Sequence, residues 1–168
     1  EEILAETKRM NEYSSYYKDS EIDRYLNGSY YENLKEIHSL IESTAVEIYA
    51  EASIGRSGDE TENINRNIFL LSDKELSYGY GIEGKALRYF RNPDNRLSDL
   101  DGIPMGWLLR TPVTSYLSAV CEVSFDGKLS LGNSFGKHGI RPAFCVDSLA
   151  KIKKKEGIID GKKVYVME

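Results

Sequence analysis

Two cysteines and two histidines are the residues of this chain best suited to covalent or metal chemistry. Cys121 or Cys145 paired with His138 would act as a nucleophile if the thiol were exposed in an electropositive pocket. Both cysteines fall in apolar strand patterns, so we expect two buried free thiols, with a disulfide across adjacent strands as the alternative. His38 fits a helix stripe and His138 a surface turn. With no HExxH, CxxC or EF-hand spacing, neither a metal site nor a catalytic set is predicted.

A glycine-rich segment, "GYGIEG" at residues 79–84, matches the GxGxxG pattern of dinucleotide-binding proteins. Such a site needs the glycines to follow a strand directly and to open a helix. Here a helical turn is expected between the apolar "IFLLS" and the glycines, and no strand–helix–strand alternation follows. The pattern therefore predicts a glycine-rich loop and no cofactor.

Arg110 and Arg141 lie at the ends of apolar segments beside a small residue or proline. Arginine at a strand end can hold loops in place by donating to carbonyls, or to a carboxylate such as Asp101 or Asp147. A structural role for both arginines is the favoured interpretation, and anion recognition is the alternative.

The composition is that of a globular chain of one domain: 168 residues, 40% hydrophobic and 29% charged. The net charge of −5 argues against a nucleic-acid partner, which selects for basic surfaces. No apolar segment is long enough to cross a bilayer, so no direct membrane insertion is predicted. The opening "EEILAET" lacks an initiator methionine and a visible signal peptide, as is typical of the middle of a protein.

Hydrophobic spacing predicts two helices in the N-terminal half. Ser20 can cap the first, which carries Ile22 and Leu26 on one face and is expected to stop at Asn27-Gly28. The second is predicted over "YYENLKEIHSLIES", residues 30–43. "TAVEIYAEA" alternates as a strand, residues 53–67 are expected to be a polar loop, and "IFLLS" has the length of a strand buried on both faces. Ser72 and Glu75 form a capping-box pattern for a short helix.

The segment "AVCEVSFDGKLSLGN" predicts a β-hairpin whose register can be argued. A three-residue loop, residues 125–127, pairs Val123 with Leu129 and Cys121 with Leu131, and only this register makes one face apolar. Gly127 is then expected in the left-handed region, and Cys121 in the core.

The C-terminal third is expected to contain one more core strand and a separate tail. "IRPAFCV" predicts an interior strand, with Pro142 at its start or at a bulge because proline cannot donate to a ladder. We expect one domain over residues 1–150. A basic linker, "KIKKK" at 151–155, and a hairpin around Asp160-Gly161 then occupy residues 151–168.

Several segments, taken in order, resemble a bacterial domain family of unknown function. "WLLRTP", the "SFDG" hairpin and "GIRPAF" are similar to its W-x-L-R-S-P, S-D-G and G-V-R-P-A segments. "DSEIDRYLNGSYY" and "NIFLLSDKE" resemble its S-x-I-R-x-W-L-N helix start and its x-I-F-L-L-S-x-x-E step. The resemblance covers most of residues 20–147. It implies structural roles for the positions that carry it: Trp107, Arg110, Gly127, Gly139, Arg141 and Pro142.

That family is similar to the C-type-lectin-like superfamily, which includes formylglycine-generating enzymes. The resemblance implies an α+β fold, with a small twisted mixed or antiparallel sheet, two flanking helices and long loops at one end. Further strands usually precede the part that "ILAET" matches. The lectin calcium motifs, E-P-N or Q-P-D followed by W-N-D, have no counterpart here. Cys121 and Cys145 do not reproduce the closely spaced copper-binding cysteines of the oxidases.

These observations predict a non-catalytic ligand-binding or adhesion-type module of a bacterial surface or secreted protein, with a glycan or protein ligand. Its candidate binding residues lie on end loops: Tyr116, Asn133, Phe135 and His138. One alternative is a structural or assembly domain of a larger surface or phage-derived protein. The last alternative is a divergent formylglycine-type oxidase.

Overall fold

The computed structural model describes residues 2–3, 6–147, 152–159 and 162–167, and it is an α+β structure of small sheets around one short helical segment. The predicted α+β class is confirmed. The strands in chain order are β1 Glu2–Ile3, β2 Thr7–Lys8, β3 Ile41–Glu42, β4 Thr44–Tyr49, β5 Thr61–Arg66, β6 Ser98–Leu100, β7 Ile103–Pro104, β8 Trp107–Pro112, β9 Ala119–Val123, β10 Leu129–Asn133, β11 His138–Gly139, β12 Cys145–Val146, β13 Ile152–Ile159 and β14 Lys162–Met167.

The largest sheet has five strands in the order β10-β9-β8-β11-β2. All six residues of β8 are buried, as expected for the central strand of a sheet covered on both faces. The register between β8 and β9 shifts between Leu108 and Pro112, and within this irregularity the Arg110 main-chain N–H donates to Leu71 O at 2.9 Å. The other sheets are β1-β6-β7 and the pairs β4-β5, β12-β3 and β13-β14.

The prediction of two flanking helices is wrong, because the chain forms one kinked helical segment instead. Ser20 caps α1, Glu21–Tyr25, as expected. Gly28 does not end the helix: its φ of −111° and ψ of −110° produce a kink inside a π-helical turn, Leu26–Tyr30, and α2 adds only Tyr31–Asn33. The rest of the predicted second helix is a 3₁₀ segment, Lys35–Leu40, followed by β3.

The hairpin of β9 and β10 has the predicted register. Val123 pairs with Leu129 and Cys121 with Leu131, and Gly127 has a φ of +78°. Cys121 is fully buried, as predicted, whereas Leu131 is 58% exposed. The apolar face is therefore covered at β9 and only partly at β10, because β10 is the edge strand.

Two segments of the N-terminal half differ from expectation. Residues 61–66, predicted as loop, form β5 because Ile64 pairs with Val46 of β4. "IFLLS" is buried as predicted, but it is an extended segment joined to Ala143 by two main-chain hydrogen bonds of Phe69. Ser72 and Glu75 do form the reciprocal capping-box bonds, around a turn rather than a helix.

The C-terminal residues form a hairpin of β13 and β14, in which Ile159 pairs with Lys162. The sequence predicts a hairpin here, and its predicted turn residues Asp160 and Gly161 lie outside the described residues. The basic run from Lys151 was expected to be a linker; its described part, residues 152–155, belongs to β13. The predicted interior strand "IRPAFCV" is wrong as a continuous element, because only Cys145–Val146 pairs as a strand, with β3. None of the described helices is long and apolar enough to cross a membrane.

Candidate functional site

A pocket of about 510 Å³ lies beside the strands β9, β10 and β11. We call it the Glu122–His138 pocket after the two charged side chains that meet in it. Its lining combines acidic, basic, hydroxyl and apolar groups, contributed by Pro104, Met105, Gly106, Glu122, Ser124, Phe125, Ser130, Lys137, His138 and Gly139.

Glu122 and His138 form an ion pair in this pocket. His138 Nδ1 lies 2.7 Å from Glu122 Oε2, and His138 Nε2 lies 3.2 Å from the main-chain oxygen of Asn133. The hydrogen bond with Glu122 raises the pKa of His138 above 6.5, and burial opposes it. Because both ring nitrogens face acceptors, the arrangement suits the doubly protonated imidazolium.

Two glycines make room for this pair. A Cβ on Gly132 would lie 2.9 Å from both Glu122 Oε2 and His138 Cε1, and a Cβ on Gly136 would lie 2.8 Å from His138 Nε2. Strand β10 places Gly132 beside the pair, and the turn after β10 places Gly136. Both positions therefore favour a residue without a side chain.

Of the four predicted binding residues, the structure brings His138 and Asn133 into contact through the Asn133 main-chain oxygen. Phe135 is exposed on the connection between them. Tyr116 is 64% exposed on the loop between β8 and β9, and is not among the residues that line the pocket.

Three of the residues marked by the family resemblance, Trp107, Gly139 and Arg141, meet in the interior. The Arg141 guanidinium lies 4.9 Å from the Trp107 ring and 5.0 Å from the Phe90 ring, and Arg141 Nη1 donates to Asn95 O at 2.9 Å. Gly139 pairs with Trp107 between β11 and β8, and the half-buried Pro142 follows.

Arg110 is buried and its donors are used within the protein. It binds Glu75 with two nitrogens, at 2.7 and 2.8 Å, and it also donates to Glu47 O and Leu70 O. The carboxylate that Arg110 binds is thus Glu75, on the capping-box turn.

The two cysteines are free thiols. Cys121 is fully buried, and burial raises its pKa, as do the nearby Asp73 and Glu83. Cys145 is half-buried beside an apolar groove, so the expectation of burial is met by Cys121 and only partly by Cys145.

The glycine-rich loop, residues 79–84, uses its main-chain N–H groups internally. Tyr80 and Gly81 each donate to Asp73 Oδ2 at 2.7 Å, and Gly84 donates to Glu47 Oε2 at 2.8 Å. The amides that a nucleotide phosphate would need thus bind carboxylates of the protein.

Sequence reasoning missed Glu122, Lys137 and the pocket itself. The hairpin register pairs Glu122 with Ser130, on the face opposite Cys121 and Val123, so a polar face was predictable from the same alternation. The contact between Glu122 and His138 was not predictable from this alternation, because it depends on β11 lying beside β8. Within the described residues, no cluster of three or more His, Cys, Asp or Glu is arranged to hold a metal ion.

The fold and the site together define an α+β domain with a pocket of charged and apolar groups beside its main sheet and a buried network of arginine and carboxylates. The chain belongs to the family described as "Domain of unknown function (DUF6273)", whose model matches residues 1–148. No curated protein and no solved structure is significantly similar to the chain.

Proposed function

We propose that this chain is a non-catalytic ligand-binding module of a bacterial surface or secreted protein, and that a glycan is bound in the Glu122–His138 pocket. The observation that carries the proposal is the ion pair, held in an open pocket beside an exposed aromatic ring. Phe125 is 67% exposed at the pocket, and Ser130 and Lys137 also line it.

Such a pocket suits a ligand that is polar on its edges and apolar on its faces. Charged and hydroxyl groups hydrogen-bond sugar hydroxyls, while an exposed ring packs against the C–H face of a sugar. The buried Arg110 offers no comparable site, since it is bound by Glu75 and by a main-chain carbonyl.

The C-type-lectin-like relationship is part of the same proposal. It is supported by the ordered resemblance from "EIDRYLNGSYY" to "GIRPAF" and by the α+β class. Because fold likeness alone says little about a ligand, the pocket chemistry carries more weight.

A glycan array tests the proposal, with the purified chain compared with Ser130→Trp, which places a large ring in the pocket. Ser39→Trp is the matched control, at an exposed position that does not line the pocket. We expect binding by the wild type and Ser39→Trp and loss of at least tenfold in affinity by Ser130→Trp. No bound glycan on the array, or capture only of a protein in a pull-down from host or bacterial extracts, would overturn the glycan proposal.

A structural or assembly role is the second candidate, and the edge strand β10 favours it. Its outer edge is unpaired in the described sheet, and Leu131 is exposed on it. An exposed apolar edge strand can pair with another chain. Light scattering of the full-length protein tests this: a stable oligomer that Leu131→Lys dissociates supports it, and a monomer at high concentration contradicts it.

The two cysteines do not support the alternative of a formylglycine-type oxidase. It requires two neighbouring thiols that a copper ion can reach, and Cys121 has no exposed surface. Thiol labelling of the native protein measures this directly, and we expect Cys121 to stay unlabelled until the protein unfolds.

A further inference from the structure

Three side chains outside the pocket form a buried polar cluster: Asp73, Glu83 and Thr111, each fully buried. We call them the Asp73–Glu83 cluster. Asp73 belongs to the capping-box turn, Thr111 to β8 and Glu83 to the glycine-rich loop. Two carboxyl groups buried side by side are costly unless a proton or an opposite charge compensates them.

Asp73 has the partners of an ionised carboxylate. Its Oδ2 accepts the main-chain N–H groups of Tyr80 and Gly81, both at 2.7 Å, and its Oδ1 lies 3.3 Å from the Thr111 hydroxyl. Two amide donors thus satisfy one oxygen of this buried carboxyl group.

Glu83 has much poorer partners. Its Oε1 lies 2.5 Å from the Thr111 hydroxyl, its carboxyl group also meets its own main-chain N–H, and its Oε2 is buried without a hydrogen-bond partner among the described residues. The Thr111 hydroxyl has one proton, and it also accepts the Asp73 N–H at 3.0 Å. It therefore cannot donate to both Glu83 and Asp73.

A proton on Glu83 Oε1 resolves this competition. Glu83 then donates to the Thr111 hydroxyl, which accepts two hydrogen bonds and donates to Asp73 Oδ1, its full capacity. The unpaired Glu83 Oε2 becomes the carbonyl oxygen of a neutral acid, whose burial costs less than that of an unpaired charged oxygen.

Within the described part of the chain, no neighbouring cation takes the place of that proton. Arg110, the positive charge that acts on Glu83, is already bound by Glu75. Tyr49, Tyr80 and Cys121 also surround the two carboxyl groups, and their pKa values are raised, so they are neutral near pH 7. A Cβ on Gly81 would lie 2.4 Å from Asp73 Oδ1 and 2.7 Å from Glu83 Oε2, so the Gly81 backbone packs directly against both carboxyl groups.

We propose that Glu83 is a proton-operated latch: as a neutral acid it holds the loop of residues 79–87 closed, and its ionisation releases the loop. Gly84, Lys85 and Leu87 of this loop line an apolar groove of about 510 Å³, together with Val46, Phe69 and Phe144 among others. Release of the latch therefore frees one wall of that groove.

The direction of the pH effect follows from burial, which raises the pKa of Glu83 to about 7 from an ordinary value of 4.5. A group whose pKa is raised in the folded state stabilises that state fully below its ordinary pKa, and this contribution is lost as the pH rises through the raised value. From well below pH 4.5 to well above pH 7 the opening equilibrium of the loop should thus rise by roughly 300-fold in total, and about a hundredfold of this rise falls between pH 4.5 and 7.5.

Amide hydrogen exchange of the whole chain tests the latch, with rates corrected for the intrinsic effect of pH. In the wild type, protection of the Tyr80, Gly81 and Gly84 amides should fall by about a hundredfold between pH 4.5 and 7.5. Glu83→Gln mimics the neutral acid, so its protection should change less than threefold over this range. Glu60→Gln, at an exposed glutamate, should behave as the wild type.

Equal pH dependence in the wild type and Glu83→Gln would overturn the proposal. If Glu83→Gln does not fold, ¹³C NMR titration of the Glu83 carboxyl carbon in the wild type decides the question. A midpoint near 7 supports the latch, and a midpoint below 5 contradicts it.

Discussion

Two glutamates, Glu83 and Glu122, show how differently the same side chain behaves in the interior and at the surface. Glu122 meets a histidine in an open pocket, raises the pKa of that histidine and forms an ion pair with it. Glu83 is sealed beside a second carboxyl group, and burial raises its own pKa to about 7. The two glutamates differ in their surroundings and not in residue type. Glu122 is reached by water and by a cationic partner, so its charge is available to a ligand, whereas Glu83 has neither and holds a loop as an acid.

The largest expected effect comes from breaking the interior network at its arginine. Arg110→Gln leaves Glu75 and two main-chain carbonyls without their charged partner, and should lower the free energy of unfolding by about 3–5 kcal/mol. Urea unfolding measures the loss. Lys128→Gln is the surface counterpart, since it removes an exposed pair with Asp126, and it should leave the free energy of unfolding almost unchanged. Similar losses for both variants would contradict the distinction between the two regions.

Two Gly→Ala substitutions, which add the same methyl group, compare the interior cluster with the Glu122–His138 pocket. In Gly81→Ala the new methyl group meets buried oxygens that cannot move, so we expect a loss of about 3 kcal/mol in unfolding free energy. In Gly132→Ala it meets the ends of the Glu122 and His138 side chains, which can shift toward solvent, so we expect about 1 kcal/mol. Thermal and urea unfolding of both variants provide the measurement, and a larger loss for Gly132→Ala would reverse the comparison.

The smallest effect concerns the ion pair itself. Glu122→Gln should lower the pKa of His138 toward 6.5, because the hydrogen bond to the carboxylate is the main cause that raises it. In the wild type, the stability that this pair contributes is complete below pH 6.5 and is lost as the pH rises through the raised pKa. NMR titration of the His138 ring follows the shift, and an unchanged pKa in Glu122→Gln would show that the pair does not form in solution.

Local pattern was enough to predict the parts of the fold that depend on neighbours in sequence. The alternation around Asp126-Gly127 determined the hairpin register and the conformation of Gly127, and Ser20 marked the start of the helix. The prediction of the second helix failed because Ile41, which fits the apolar face of that helix, pairs instead with Val146 across a long sequence separation. Helical spacing cannot distinguish a packed helix face from residues that find such distant partners.

The candidate site was predictable only in part for the same reason. His138 was identified from its position in a turn, whereas its partner Glu122 reaches it only because β11 lies on the far side of β8. The Asp73–Glu83 cluster gave no local pattern, since Thr111 joins it from an irregularity in β8 and Glu83 from a long loop. Contacts between polar residues that meet through non-local packing cannot be predicted from a single sequence.

Binding to a glycan array by three proteins, at one pH below 6, tests the central claim most directly. We expect binding by the wild type and by Glu83→Gln, since the interior acid is already neutral at that pH. We expect loss of binding by Ser130→Trp, folded but with its pocket filled. Retained binding by Ser130→Trp, or loss by a folded Glu83→Gln, would contradict the assignment of ligand binding to the Glu122–His138 pocket.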